Sequence, residues 1–356
     1  MRSKLTLLGF LLLLLLAGVQ TVFRPFKTIP LAGAEFIPET KPFTIDHWIS
    51  MDWQRNTEQR LKKTFGFRPH FVRVYNQILY SFFDEINPQV IAKGDTLFER
   101  GYLPSIHGED FLGEAEIDLK FDSLTQFQNQ LNSRGKQLFI IIAPNKWRTF
   151  HAYDSLGANT NYAGVMKRFK QGGFNVIDAL DHFVQHNTAS PYPLHSKQGT
   201  HWSIYGAFTS AILLEEKLQK HGIACPKMLV DSMEIAGPRN TDKDLRDLLN
   251  VMLPPKKEQL AYPKLSFKGD NKPKALVIGD SYYWSYYYLG IHQGMFAENS
   301  PFFYYNKSVV YDDVNAKQPL SKVIRDQAFA EAEVVILVMS EPSLKWFGFG
   351  VFGESI

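Results

Sequence analysis

Cysteine is almost missing from this chain: Cys225 stands alone among 356 residues. One thiol excludes an internal disulfide framework and a cysteine-based zinc site, and it fits either redox compartment. An excess of one charge is missing too. Thirty-nine lysines and arginines face 36 aspartates and glutamates, giving a net charge of +3 with no basic tract beyond isolated pairs. That balance excludes recognition of nucleic acid, or of an acidic polymer, by bulk charge alone. The length suits one large domain with an appended region.

What is present begins at the N-terminus. Leu5 to Phe23 is almost wholly apolar, contains the run Leu11 to Leu16, and follows Arg2 and Lys4. Such a stretch is a signal peptide or a membrane span. Its length favours a span. A cleavage site wants small residues at two set positions, whereas "LAGVQTVF" sets Ala17 and Gly18 among bulky neighbours. An uncleaved anchor is therefore expected, with the N-terminus cytoplasmic and the bulk exported, although Arg24 and Lys27 beyond the span weaken the charge asymmetry. The proline-bearing "LAGAEFIPETKPFT" reads as a stalk. From Ile45 to Phe83, Trp53, Leu61 and Phe65 recur at helical offsets and predict two helices broken at "GFRP", a helical arm without heptads, repeats or low complexity. The expected divisions are an anchor or signal segment over 1–24, stalk and arm over 25–87, and a main domain over 88–356.

The main domain alternates helix and strand signals. Phe121, Leu124, Phe127 and Leu131 form a helical stripe ended by Gly135, and "QLFIIIAP" follows as a buried-strand run. A second stripe runs from Tyr162 to Phe169 and precedes "FNVI"; a third runs from Ala207 to Leu218; "ALVIG" and "EVVILVM" are further strands. This alternation predicts an α/β fold with a mainly parallel sheet covered by helices on both faces. Ligands of such sheets sit at the carboxyl ends of the strands.

Two features fall there. After "ALVI" comes Gly279-Asp280-Ser281, a glycine turn that would expose a serine hydroxyl next to free backbone N–H groups, as a nucleophile requires. The same tripeptide also makes an ordinary turn. In "GTHWSIYGAF", Ser203 is a good N-cap, so His201 lies just before a helix N-terminus whose dipole favours neutral imidazole. That is the form a general base needs; the alternative is a histidine packed beside Trp202.

Together these blocks, "GTHWSIYGAF", "VIGDSYYWS" and "EVVILVMSEPSL", preceded by "VIAKGDTLFERGYL", resemble the SGNH-hydrolase-like domain of the alginate O-acetyltransferase family, AlgX/AlgJ type, over roughly residues 85 to 350. The histidine block precedes the serine block, a permuted order relative to GDSL esterases. The resemblance implies a membrane-anchored O-acetyltransferase working outside the cytoplasm. Ser281 would carry acetyl as an ester, His201 would move the proton, and hydroxyls of an exported cell-surface polysaccharide would accept the group. It also implies a multi-spanning membrane O-acyltransferase as acyl supplier, a polysaccharide acceptor, and placement in a bacterial inner membrane with the main domain in the periplasm; from the charge balance no nucleic-acid partner is expected, and no cofactor or metal is expected.

One departure matters. The family's Asp-x-His-Trp motif has Gly199 where its orienting aspartate belongs. Asp178, ending "FNVID", is the first candidate substitute, with capping of the following helix as its other reading. A dyad, or a non-catalytic glycan-binding or scaffold subunit, is the remaining option; a carbohydrate esterase using the same serine is another. For substrate binding, Asn145 after "LFIIIAP" is a candidate oxyanion donor or a turn residue. Lys146 and Arg148 could meet an anionic sugar or be a solvated pair. Tyr283, Trp284 and Tyr287, from the dense cluster Tyr282 to Tyr288, are candidate sugar platforms or core. Glu341 takes no catalytic role.

Overall fold

The computed structural model describes residues 2–33, 37–82, 89–151, 157, 159–256 and 258–353. The stalk's residues 34–36 and the arm-to-domain junction at 83–88 lie outside them. The chain divides into two compact units: Met1–Ala92 with Arg246–Pro255, and Lys93–Leu245 with Lys256–Ile356.

The first unit is helical. Helix α1 (Arg2–Phe23) is long and apolar enough to cross a membrane, and nearly all of it is exposed. A short α2 (Ile45–Ile49) is capped by Thr44, whose side chain accepts from the His47 amide. Helices α3 (Asp52–Thr64) and α4 (Arg68–Phe82) follow, broken at "FGF", where the GFRP signal predicts the break.

The second unit runs α5 (Glu114–Ser133), β1 (Gln137–Ala143), α6 (Asn161–Gly172), β2 (Asn175–Asp178), α7 (Ala179–His186), α8 (Ile204–Lys220), β3 (Lys227–Ala236), β4 (Leu260–Lys268), β5 (Ala275–Gly279), β6 (Phe302–Tyr304), β7 (Ser308–Val310), β8 (Gln318–Pro319), α9 (Lys322–Glu331) and β9 (Val334–Ser340). Among the described residues, seven strands form one sheet in the order β8-β7-β6-β5-β9-β1-β2. The five from β6 to β2 are parallel, and β7 and β8 add an antiparallel edge.

Parallel strands buried on both faces need apolar residues at every position, which "QLFIIIA" and "VVILVMS" supply. Successive residues point to opposite faces. Phe139, Ile141, Val277, Ile336 and Val338 pack on one side with Phe183, Trp202, Ala207, Leu214 and Tyr286. Leu138, Ile140, Ile278, Val335 and Leu337 pack on the other with Leu124, Phe127, Val165, Phe169 and Phe329. The fold is α/β with a mainly parallel sheet and helices on both faces, as the alternation predicts. Strands β3 and β4 stand apart as an antiparallel hairpin with a register shift between Val230 and Ser232. This hairpin interrupts the chain between the histidine and serine blocks, and its connecting loop supplies the site.

Candidate active site

Gly279 ends β5 where only a glycine fits: a Cβ there would lie 2.9 Å from the Val338 carbonyl oxygen on neighbouring β9. The chain then turns through Asp280 into a 3-10 turn, Ser281–Tyr283. Asp280 is buried and fully engaged. Its carboxylate accepts from the Tyr282 amide (3.1 Å), the Ser340 amide (2.7 Å) and the Ser343 hydroxyl (2.8 Å), pinning the turn to the end of β9. Ser281 is left half-buried at the carboxyl edge of the sheet.

The histidine block approaches from the other side. Ser203 caps α8 by accepting from the Gly206 amide at 2.9 Å. The two blocks clasp each other: the Trp202 indole donates to the Tyr282 carbonyl at 3.1 Å, and the His201 and Tyr282 rings lie 4.8 Å apart. His201 Nε2 then sits 2.8 Å from Ser281 Oγ.

The carboxylate on His201 is Asp244. Its Oδ2 is 2.7 Å from His201 Nδ1, and its Oδ1 accepts from the Thr200 and Leu245 amides, each at 2.7 Å. A carboxylate has no proton to give, so Nδ1 carries the hydrogen and the Nε2 lone pair is left to accept from Ser281. The Asp178 substitution is thereby corrected. Asp178 accepts from the Tyr162 hydroxyl at 2.8 Å and caps α7 through the Asp181 amide at 3.0 Å, the capping alternative open in the sequence.

Gly199 follows from the same arrangement. A Cβ on it would collide with the Thr241 carbonyl oxygen and lie 2.9 Å from Asp242 Cα. The hairpin loop occupies the space the motif aspartate would need, and brings Asp244 in its place. Asp242 holds that loop down, accepting from the Tyr262 hydroxyl at 2.9 Å and the Ile204 amide at 3.2 Å. Burial pushes the Asp242 carboxyl up to about 7.

Burial alone pulls the His201 imidazole down, but Asp244 by charge and hydrogen bond, then Asp280 and Glu99, outweigh it and leave it above the ordinary histidine value. Glu99 joins through Thr200, whose hydroxyl donates to it at 2.9 Å. Tyr305 lies near the Ser281 hydroxyl, in the left-handed region (φ 50°), with its own amide donating to the Gly279 carbonyl at 2.8 Å. Burial raises that phenol, which therefore stays a neutral donor. Sequence reading missed both Asp244 and Tyr305. The signal for the first was the acidic "NTDKDLRD" between the two motif blocks; for the second, the tyrosine pair Tyr304-Tyr305 at the end of β6.

The substrate-binding expectations fare unevenly. Asn145 is buried as a turn residue: its Oδ1 accepts from the Trp147 amide at 3.0 Å and its amide donates to Ser105 at 3.3 Å. Tyr283 and Tyr287 are core. The Tyr283 hydroxyl meets His292 Nδ1 at 2.8 Å, and the Tyr287 ring stacks on His292 at 4.4 Å, so neither offers a face to a sugar. Trp284 is half-buried against Phe302 and Tyr304. Lys146 and Arg148 are not solvated either. Lys146 Nζ donates to the Leu97 and Gly199 carbonyls at 2.5 and 2.8 Å, and burial pulls it down to about 7. Arg148 pairs with buried Glu341 at 2.5 Å, whose carboxyl burial pushes up against the pull of that guanidinium.

A serine, a histidine and a carboxylate joined in line, at the carboxyl edge of a helix-covered parallel sheet, define an SGNH-type serine site. The family model described as "SGNH hydrolase-like domain, acetyltransferase AlgX" matches residues 97–289, more than half of the chain, and the chain belongs to that family. Among solved structures it is similar to the O-acetyltransferase domain of Pseudomonas putida AlgJ, with 16% identity over 73% of this chain and 93% of that one and a TM-score of 0.47. It is similar also to Bacillus cereus PatB1 (13%, 72% and 96%, TM-score 0.46) and to Pseudomonas aeruginosa AlgX (15%, 77% and 69%, TM-score 0.42). A search of curated protein sequences finds no match.

Proposed function

We propose that this protein is a serine-dependent O-acetyltransferase that moves acetyl groups onto hydroxyls of an exported polysaccharide. The observation that carries the reading is the unbroken line Ser281–His201–Asp244, with 2.8 and 2.7 Å contacts. His201 Nε2 takes the Ser281 proton as Oγ attacks the acetyl carbonyl of the donor. Collapse of the tetrahedral intermediate breaks the donor bond, His201 returns the proton to the leaving group, and acetyl remains as a serine ester. A sugar hydroxyl then gives its proton to His201 and attacks the ester; the Oγ–acyl bond breaks, His201 returns the proton to Ser281 Oγ, and acetylated glycan leaves. Tyr305, near the Ser281 hydroxyl, would steady the developing oxyanion or the acceptor hydroxyl in this reading.

Gly199 was the reason to consider a non-catalytic scaffold, and the Asp244 carboxylate 2.7 Å from His201 supports the catalytic reading over it. In this reading α1 holds the protein in the bacterial inner membrane as a single-pass anchor, with the catalytic unit in the periplasm beside a multi-spanning membrane O-acyltransferase that supplies acetyl. The test is intact mass and turnover of the full-length protein in detergent with a chromogenic acetyl ester, with and without oligosaccharide acceptors. An acetyl adduct or turnover absent from Ser281→Ala and His201→Ala supports the serine mechanism. Turnover that no acceptor diverts from water would make the protein an esterase instead, and no serine-dependent chemistry in folded protein would return the scaffold reading.

A further inference from the structure

Helix α1 carries two polar side chains near its end, Gln20 and Thr21, and both are used. Gln20 is only 4% exposed and clasps the returning chain: its Nε2 donates to the Phe26 carbonyl at 2.6 Å while its Oε1 accepts from the Phe26 amide at 3.1 Å. Thr21 Oγ1 donates to the Ala17 carbonyl at 2.7 Å and accepts from the Gly66 amide at 2.6 Å. Gly66 is the turn between α3 and α4, and it is seated directly on α1. A Cβ there would lie 2.5 Å from Gln20 Cβ and 2.6 Å from the Ala17 carbonyl oxygen. A leader destined for removal has no need of such a seat. These contacts make α1 a structural part of the arm.

The seat fixes a height. A helix of 22 residues spans about 33 Å at 1.5 Å per residue, close to a hydrocarbon core of about 30 Å. Ala17 to Thr21 lie about 3–9 Å short of the end at Phe23. The Gly66 turn therefore reaches the level where acyl chains meet headgroups. What surrounds it suits that level. Phe23, Phe26, Phe65 and Phe71 are exposed, Phe26 and Phe67 rings lie 5.9 Å apart, and Phe65 and Phe71 stack at 6.3 Å. Phe67 takes a left-handed backbone (φ 64°), costly for a bulky residue, in turning onto Phe26. Exposed Arg24, Lys27 and Lys63 flank the aromatics, while Lys62 pairs with Glu58 at 2.6 Å. Aromatic rings beside cationic side chains match an anionic lipid interface.

We infer that the α3–α4 turn is an interfacial foot: seated on α1 through Gly66, it lies in the headgroup boundary of the bilayer that α1 crosses and sets the height and tilt of the arm. The inference rests on reading α1 as a retained anchor. The occupant is lipid.

The test uses full-length protein with Cys225→Ser and single cysteines carrying a nitrobenzoxadiazole fluorophore, in nanodiscs of phosphatidylethanolamine and phosphatidylglycerol with shallow or deep doxyl lipids. Phe65→Cys and Phe71→Cys report the foot, Leu13→Cys the span, and Leu119→Cys, 62% exposed on α5, the aqueous control. The expected result is foot labels quenched several-fold more by shallow than by deep doxyl, the span label the reverse, and the control unaffected. Gly66→Leu, which unseats the turn, should abolish shallow quenching at position 71 and leave Leu13→Cys unchanged. Foot labels that behave like Leu119→Cys while Leu13→Cys is quenched would overturn the inference alone. Blue-shifted foot labels without doxyl quenching would put protein there in place of lipid. An unquenched Leu13→Cys would remove the anchor reading and the foot with it.

Discussion

Replacing Asp244 by asparagine changes a single atom at the centre of the site. The amide keeps an oxygen for the Thr200 and Leu245 amides that hold Oδ1 at 2.7 Å, so the hairpin loop should stay in place. The position of Oδ2, 2.7 Å from His201 Nδ1, becomes an NH₂ that can only donate. Nδ1 must then accept, the proton moves to Nε2, and Nε2 can no longer take the Ser281 proton across 2.8 Å. The equivalent exchange in a serine protease lowers kcat about 10⁴-fold, or about 5.4 kcal/mol at 1.36 kcal/mol per tenfold. A loss of about 10³–10⁴ in kcat is expected for Asp244→Asn, with KM for a small acetyl ester within about threefold. The pH profile should move as well. On the proposed mechanism His201 acts as a base only when neutral, so wild-type activity is expected to rise with pH through an imidazole pKa held above 6.5. Removing the Asp244 charge, the largest of the raising influences, should carry that limb to lower pH. A folded Asp244→Asn protein with kcat within tenfold of wild type would refute the reasoning, and the search for the orienting group would pass to Glu99.

Other outcomes follow from the same contacts. Asp178→Ala should leave kcat within about twofold and cost about 1 kcal/mol of stability through the lost α7 cap, measured by urea unfolding; a thousandfold loss of activity would restore it to the site. Gly199→Asp, which rewrites the family motif, should lower rather than raise activity. Its Cβ collides with Thr241, so the overpacked loop should also lose about 1–3 kcal/mol, seen as a lower Tm. Burial holds His292 down at about 4, against 6.5 for a free histidine, while its ring bonds to Tyr283 and the Ser300 carbonyl. The unfolded chain thus takes up a proton at His292 below pH 6.5 that the folded chain refuses, and stability falls as pH drops from there toward 4. His292→Gln should be less stable at pH 7 yet show a pH slope shallower by about 1.4 kcal/mol per unit between pH 6 and 4.5; an unchanged slope would exclude the histidine as its source.

The sheet and its covering helices were legible because their signals are local. "QLFIIIA" and "VVILVMS" are apolar runs of seven residues, rich in β-branched side chains and too short for a core helix, and the stripe from Phe121 to Leu131 recurs at helical spacing. The serine turn and the histidine before an N-cap were legible for the same reason: a glycine ending a strand and a serine opening a helix are written within three or four residues. The aromatic cluster was not. "SYYWSYYY" has no period that says which rings enter the core, and only packing against Phe302 and His292 commits Tyr283 and Tyr287 to it.

The amino-acid sequence by itself determined an α/β domain behind an apolar N-terminal helix, and the order of histidine block before serine block. Tertiary structure alone decided which carboxylate serves His201. Asp244 lies 43 residues from the histidine, on the loop of a hairpin whose path no local pattern reveals. The vacancy at Gly199 has the same origin, because it is filled by backbone from that loop. Propensity and periodicity act over a few residues, whereas the line of hydrogen bonds from Asp244 to Ser281 depends on where three remote segments close against one another.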